Sequence, residues 1–147
     1  MIGLVAVTKA GRAAAERLEQ AWPDARRYDA PAAAALPRAF TECDAIVSFL
    51  AVGATVRLIA PLLVGKHTDP AVVCVDEALR FAVPVLGAHQ GGGNDLARRV
   101  AETAGLLTGL GYRPEGVQLQ ASRLAPLPKN QFRLAAENPV FVLWGQR

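Results

Sequence analysis

The chain has 147 residues, enough for one domain of ordinary size with a real core. Hydrophobic residues make up 52% and charged residues 20%, a balance that excludes an intrinsically disordered chain. The net charge of +3 suits an anionic ligand, but with no long block of Lys or Arg and few aromatics it does not support a nucleic-acid interface.

Residues 2–7 (IGLVAV) are almost continuously apolar and run into Thr8-Lys9-Ala10-Gly11, as a strand buried on both faces does. Ala10, Ala14, Leu18 and Ala21 then recur at helical spacing, with Arg12, Glu16, Arg17, Glu19 and Gln20 on the remaining face. Trp22-Pro23-Asp24 stops that helix. Residues 25–28 read as a short strand. The alanine-rich stretch 31–40 contains Pro37 and predicts a short helix from near Leu36. Residues 45–50 (AIVSFL) form a third strand pattern, entered through Asp44. Val52, Val56, Ile59 and Ala60 repeat at helical spacing after it, with Pro61 at the end of the helix or kinking it.

Residues 71–75 (AVVCV) predict another buried strand, preceded by the turn signal Thr68-Asp69-Pro70 and closed by Asp76-Glu77. Residues 80–86 lie close enough to be its hairpin partner, and Pro84 calls for an edge position or a bulge. Beyond the loop GAHQGGGND, residues 87–95, the positions Leu96, Ala97, Val100, Ala101 and Ala104 form a helical stripe. Further on, Gln118-Leu119-Gln120 alternates, Pro126-Leu127-Pro128 interrupts, and 139–144 reads as a final strand. Strands alternating with helices predict an α/β fold: a layered, mostly parallel sheet flanked by helices, with one hairpin.

In open α/β sheets ligands bind outside the carboxyl ends of the strands. Three strand ends here run through small residues into a helix: 8–12, 50–55 and the loop 87–95. Helix N-termini carry free amides and partial positive charge, so they favour carboxylates or phosphates. The glycine loop matches neither the dinucleotide nor the P-loop pattern, which argues against a nucleotide cofactor. Taken alone it is either a turn capped by Asn94 or Asp95, or a binding loop in which His89 is a general acid or base. Asp76 and Glu77 close a strand at the same predicted sheet edge as these loops. One of them could activate water; a solvated hairpin turn is the competing reading. Arg57 reads as pointing to solvent and Lys66-His67 as an exposed turn. With two histidines and the separated Cys43 and Cys74, which read as buried free thiols, no dedicated zinc site is expected. The apolar N-terminal run is too short to span a membrane and lacks a basic segment and a cleavage-like end. A soluble, cytoplasmic protein is expected.

Three motifs in order resemble one family. "TDPAVVCVDE" at 68–77, "VGATVRLIAPLL" at 52–63 and the loop GAHQGGGND are similar to signatures of the CbiG family of cobalamin biosynthesis. The resemblance runs from Met1 to about Leu106. It implies a CbiG N-terminal-like α/β domain over 1–107 and a divergent segment over 108–147, packed on the same domain. It further implies a cobalt-precorrin-5A hydrolase, which opens the lactone of a cobalt-tetrapyrrole and releases acetaldehyde. The alternative is a non-catalytic tetrapyrrole- or anion-binding module that associates with a partner enzyme of the pathway; a homodimer is also open. Cobalt then belongs to the substrate, and neither a cofactor nor a metal site of the protein is expected. Candidate catalytic residues are His89, Glu77 and Asp76. Candidate substrate-binding residues are Thr8, Lys9, Gly53, Thr55, Gly91, Gly92, Gly93 and Asn94, the three glycines through their amides. The family's Ser-Gly before the histidine is Gly87-Ala88 here, and its threonine-rich motif is replaced by Leu106-Leu107-Thr108-Gly109-Leu110-Gly111-Tyr112.

Overall fold

The structure is a computed structural model that describes residues 1–76, 79–88 and 91–104, together with three short strands further along. It divides into two compact units, Met1–Glu115 and Gly116–Arg147.

The first unit is built on β1 (Ile2–Ala6), α1 (Lys9–Ala21), β2 (Ala25–Arg27), α2 (Ala32–Glu42), β3 (Ala45–Phe49), α3 (Val52–Ile59), β4 (Ala71–Val75), β5 (Phe81–Leu86), α4 (Gly93–Ala104) and β6 (Leu107–Thr108). The six strands form one sheet in the order β2-β1-β3-β4-β5-β6. Pairing is parallel except between β4 and β5, which form the expected hairpin. In the second unit β7 (Gln131–Arg133) pairs antiparallel with β8 (Val142–Trp144), within the stretch where the sequence predicts a last strand. The alternating residues 118–120 lie outside the described residues.

Burial explains the strands. β1 and β4 are buried at every position, which accounts for their unbroken apolar runs. Two apolar clusters lie on opposite faces of the sheet. Ala14, Ala15 and Leu18 of α1 and Ala97, Val100 and Ala101 of α4 pack with Leu4, Phe49, Val73 and Val75 on one face. On the other, Leu36, Ala39 and Phe40 of α2 and Ile59 of α3 pack with Val5, Ile46 and Val72. Helix α1 starts at Thr8, whose Oγ1 accepts the Gly11 amide at 3.1 Å. It ends where Trp22 closes on the Leu18 carbonyl, ahead of Pro23. Trp22 also joins the two helices on its face. Its Nε1 donates to Thr103 Oγ1 at 3.2 Å, and the Arg99 guanidinium lies 4.2 Å over its ring while pairing with Asp24.

Two proline expectations resolve differently. α2 begins at Ala32 and not near Leu36, because Pro37 is accommodated inside it. A helical φ suits proline, and the missing amide leaves only one carbonyl, that of Ala33, without its usual donor. In β5 the proline forces the bulge. Val72 pairs with Leu86 and Val73 with Pro84, so the register skips Val85, and β5 keeps a neighbour on each side.

Cys43 and Cys74 are both buried free thiols. Cys43 lies beside Tyr28, whose hydroxyl donates to Glu42 Oε2 at 2.9 Å and is 3.2 Å from the Cys43 sulfur. Arg26 and Arg38 lie over the Tyr28 ring. Burial first, then the contacts with Cys43 and Glu42, push the Tyr28 phenol above its ordinary value near 10. The fold therefore favours the neutral phenol. Its contribution to stability is full below about pH 10 and is lost as pH rises from there toward the folded-state value. Urea midpoints taken from pH 9 to 11 are expected to fall in the wild type and to fall less steeply in Tyr28→Phe; equal slopes would remove this group from the alkaline transition.

Candidate functional site

The carboxyl ends of β1, β3 and β4 share one edge of the sheet, and the order β2-β1-β3 makes the gap between β1 and β3 a topological switch point. Two helices begin there. Thr8 caps α1, and Lys9 is its first, exposed residue. Gly11 keeps α1 tight against the strands: a Cβ there would stand 2.9 Å from Phe49 Cβ. Helix α3 starts after Ala51, whose carbonyl accepts the amides of Ala54 and Thr55 at 2.9 and 3.0 Å. Gly53 is exposed in its first turn, and Arg57 folds back onto the Gly53 carbonyl at 3.1 Å while remaining exposed.

Thr55 lies beneath this surface. It is fully buried, with Oγ1 2.8 Å from Ser48 Oγ, itself fully buried on β3. The third member of the group is Cys74 of β4, whose thiol is raised by burial and partly lowered by a bond to Thr55. The hydroxyl that the sequence offers to a ligand thus fastens α3 to the sheet. Ser48 was not anticipated; its signal is a lone hydroxyl in an apolar strand opposite a helix that carries another.

Asp76 stands at the same edge, at the end of β4. Its Oδ1 accepts the amides of Arg80 and Phe81 at 2.7 and 2.6 Å, and Oδ2 is 3.6 Å from Arg80 Nε. Its carbonyl accepts the Leu79 amide at 2.8 Å, and Leu79 adopts a φ of +52°, in the left-handed region. Asp76 therefore builds the β4–β5 turn. Asp69 does the same at the other end of β4, where its carboxylate accepts the amides of Val64 and Gly65 at 3.0 to 3.2 Å. Glu77 lies outside the described residues.

The glycine loop does not join this edge. β5 runs against β4, so Val75 pairs with Ala82 at one end and Val72 with Leu86 at the other. Gly87 consequently sits beside Ala71, at the start of β4, where a Cβ would come within 3.1 Å of Ala71 Cα. The five residues of β4 separate the two edges by about 15 Å. The sequence expectation that all these loops share an edge is corrected here, and the reversed direction of β5 is the reason. Thr8, Lys9, Gly53 and Asp76 lie at the carboxyl ends of the parallel strands, with α1 and α3 on opposite faces of the sheet, whereas Gly91, Gly92, Gly93 and Asn94 lie at the opposite edge.

The glycines there have structural duties. Gly87 and Gly92 have φ values of +62° and +75°. The amides of Gly91 and Gly93 both donate to the Gly87 carbonyl at 3.0 Å, and that of Asn94 to Ala88 at 3.0 Å. A Cβ on Gly93 would meet the Leu86 carbonyl at 3.0 Å. Of the three glycine amides, only that of Gly92 makes no such backbone bond among the described residues. Asp95 in the first turn of α4 pairs with Arg98 and favours the helix start. His89 lies outside the described residues. Among the described residues no cluster of three or more His, Cys, Asp or Glu could hold a metal ion, and no helix is long and apolar enough to cross a membrane.

A mostly parallel sheet with helices on both faces and a switch point between β1 and β3 defines the first unit as a doubly wound α/β domain. The family described as cobalamin synthesis G N-terminal, CbiG, matches residues 34–108, just over half of the chain, and the chain belongs to that family. Thr8 and Lys9 precede the matched stretch. Two curated relatives are similar over part of their length. The cobalt-precorrin-5A hydrolase of Priestia megaterium is 44% identical over 66 residues, 45% of this chain and 18% of that protein. That of Salmonella typhimurium is 41% identical over 68 residues, 46% of this chain and 19% of that protein. The chain thus spans under a fifth of the length of these relatives. A crystal structure of a cobalamin biosynthesis protein G homolog from Sulfolobus solfataricus superposes with a TM-score of 0.61 at 26% identity, over 73% of this chain and 35% of that one.

Asp76→Ala removes the acceptor of two turn amides and is expected to cost about 1–3 kcal/mol in chemical denaturation. Asp76→Asn keeps an oxygen acceptor and should cost less than half of that. Equal losses for the two would mean that the charge, and not the turn geometry, is what matters.

Proposed function

We propose that this chain acts in cobalamin biosynthesis as the N-terminal part of a cobalt-precorrin-5A hydrolase. The observation that carries the reading is its 41–44% identity to two such hydrolases over 66–68 residues, together with the family match over 34–108, which takes in α3, β4 and the glycine loop. The substrate is then a cobalt-bearing tetrapyrrole with carboxylate side chains, and cobalt arrives with it. The geometry at the switch point suits such a ligand: Lys9 and the starts of α1 and α3 supply positive charge and backbone donors at one edge.

Opening the lactone needs an activated water and donors for the developing oxyanion. Glu77 is the base candidate beside the switch-point edge, and His89 the candidate in the glycine loop. The two are alternative candidates for the one general base. Asp76 holds the turn that carries Glu77. Gly92, whose amide makes no backbone bond to another described residue, is the candidate donor of the three glycines. A binding module that needs a partner enzyme remains the second reading. It is favoured by the occupied Asp76 Oδ1 and by the occupied amides of Gly91 and Gly93. A cytoplasmic location accords with either reading.

The test is to incubate the purified chain with the lactone intermediate, alone and with the complementary part of the hydrolase, and to measure acetaldehyde. Release is expected, and one of His89→Ala and Glu77→Gln should reduce it more than 100-fold with the fold intact. No acetaldehyde under either condition would sink the hydrolase reading and leave the binding module.

A further inference from the structure

Helix α3 packs unlike the other helices of its unit. α1 and α2 each bury four residues and α4 buries five, whereas α3 buries only Thr55 and Ile59. Val52 and Val56, one turn apart, are 45% and 46% exposed. Beyond the 3-10 turn Ala60–Leu62, Leu63 and Val64 are 48% and 86% exposed. These four are most of the exposed large hydrophobic residues among those described, and they fall within thirteen consecutive positions. Single exposed apolar side chains need no explanation, but a cluster on one helix and its extension marks a contact surface.

The charge around the cluster is one-sided. Between positions 52 and 70 the ionisable residues are Arg57, Lys66, His67 and Asp69. Asp69 is turned onto the amides of Val64 and Gly65, while Arg57 and Lys66 are exposed. Within this segment the exposed residues are therefore aliphatic with flanking cations, and the charges on the neighbouring helix α2, Arg38 and Glu42, are paired with each other. A second copy of the chain docking through the same face would set these cations against one another. An aliphatic partner surface rimmed by Asp and Glu is complementary. The face also lies wholly within the family-matched stretch 34–108, and the chain spans under a fifth of the length of the matched hydrolases.

We propose that the exposed face of α3 and residues 63–64 is the seat of the remaining part of the hydrolase. This rests on the reading of the chain as the N-terminal part of that enzyme. Val56 and Val64 are the central contacts, and Arg57 and Lys66 meet acidic residues at the rim. The four side chains are exposed, so replacing them leaves the fold of the unit unchanged.

The experiment co-expresses the full 147-residue chain with the Priestia megaterium hydrolase from which the matched 66 residues have been deleted. The purified material is followed by size exclusion and by titration. A one-to-one complex is expected with the wild type. Val56→Asp and Val64→Asp should each weaken it at least tenfold with no change in melting temperature. Arg57→Glu should weaken it several-fold, and Arg12→Glu on the outer side of α1 should leave it unchanged. No complex with the wild type, or a complex indifferent to Val56→Asp and Val64→Asp, overturns the proposal. Self-association of the chain alone that these substitutions abolish also overturns it, by making a second copy the occupant. Acetaldehyde measured on the same samples separates the two readings: a complex that forms, responds to the substitutions and releases none supports the docking face and counts against the hydrolase.

Discussion

The burial of β4 on both faces is the constraint on which the rest of the first unit depends. None of its five residues reaches solvent appreciably, so its backbone must be satisfied by a neighbour on each side and its ends must be held where they leave the core. β3 pairs with it in parallel and β5 in the opposite sense. Both ends are closed by carboxylates that accept backbone amides, Asp69 before the strand and Asp76 after it. The motif TDPAVVCVDE is thus a buried rod with a clasp at each end. Asp69 is the turn residue its place in Thr68-Asp69-Pro70 announces, and Asp76, conspicuous in the sequence as candidate chemistry, holds a turn as well.

The same pairing divides the loops. Because β5 returns toward the start of β4, the segment after it emerges beside Ala71 and away from the starts of α1 and α3. The glycines of that segment suit its backbone geometry: two adopt positive φ, and at two others a Cβ would stand in tight contact, 3.0 Å, with a carbonyl oxygen. Ligand chemistry is not needed to account for them. At the other edge lies the switch point between β1 and β3, with Lys9 at the start of α1.

Much of the architecture was legible in the sequence because burial on two faces and burial on one leave different periods. The unbroken run IGLVA, the helical stripes of α1 and α4 and the hairpin partner of β4 all appear where those periods put them. Pro37 misled, because the cost of an interior proline, a lost bond and crowding at the i−4 carbonyl, is outweighed where Ala35, Leu36, Ala39 and Phe40 bury beside it. The site was less legible. A sequence lists loops without saying at which end of the sheet each emerges, and a single antiparallel strand moves 87–95 to the far edge. Thr55 carries the same letters whether its hydroxyl faces a ligand or Ser48, and only the packing of α3 decides between them.

Trp22 sits where α1 and α4 meet, buried, bonded through its indole nitrogen to Thr103 and covered by the Arg99 guanidinium. An indole held in that way emits according to a nearby charge and a fixed hydrogen-bond partner. Its fluorescence therefore registers the closure of the two helices on one face of the sheet. The exposed α3 surface belongs to the other face, so events there leave this signal untouched as long as the core stays shut. With the chain's other indole, Trp144, replaced by Phe, the Trp22 emission becomes an internal optical gauge of that face of the sheet.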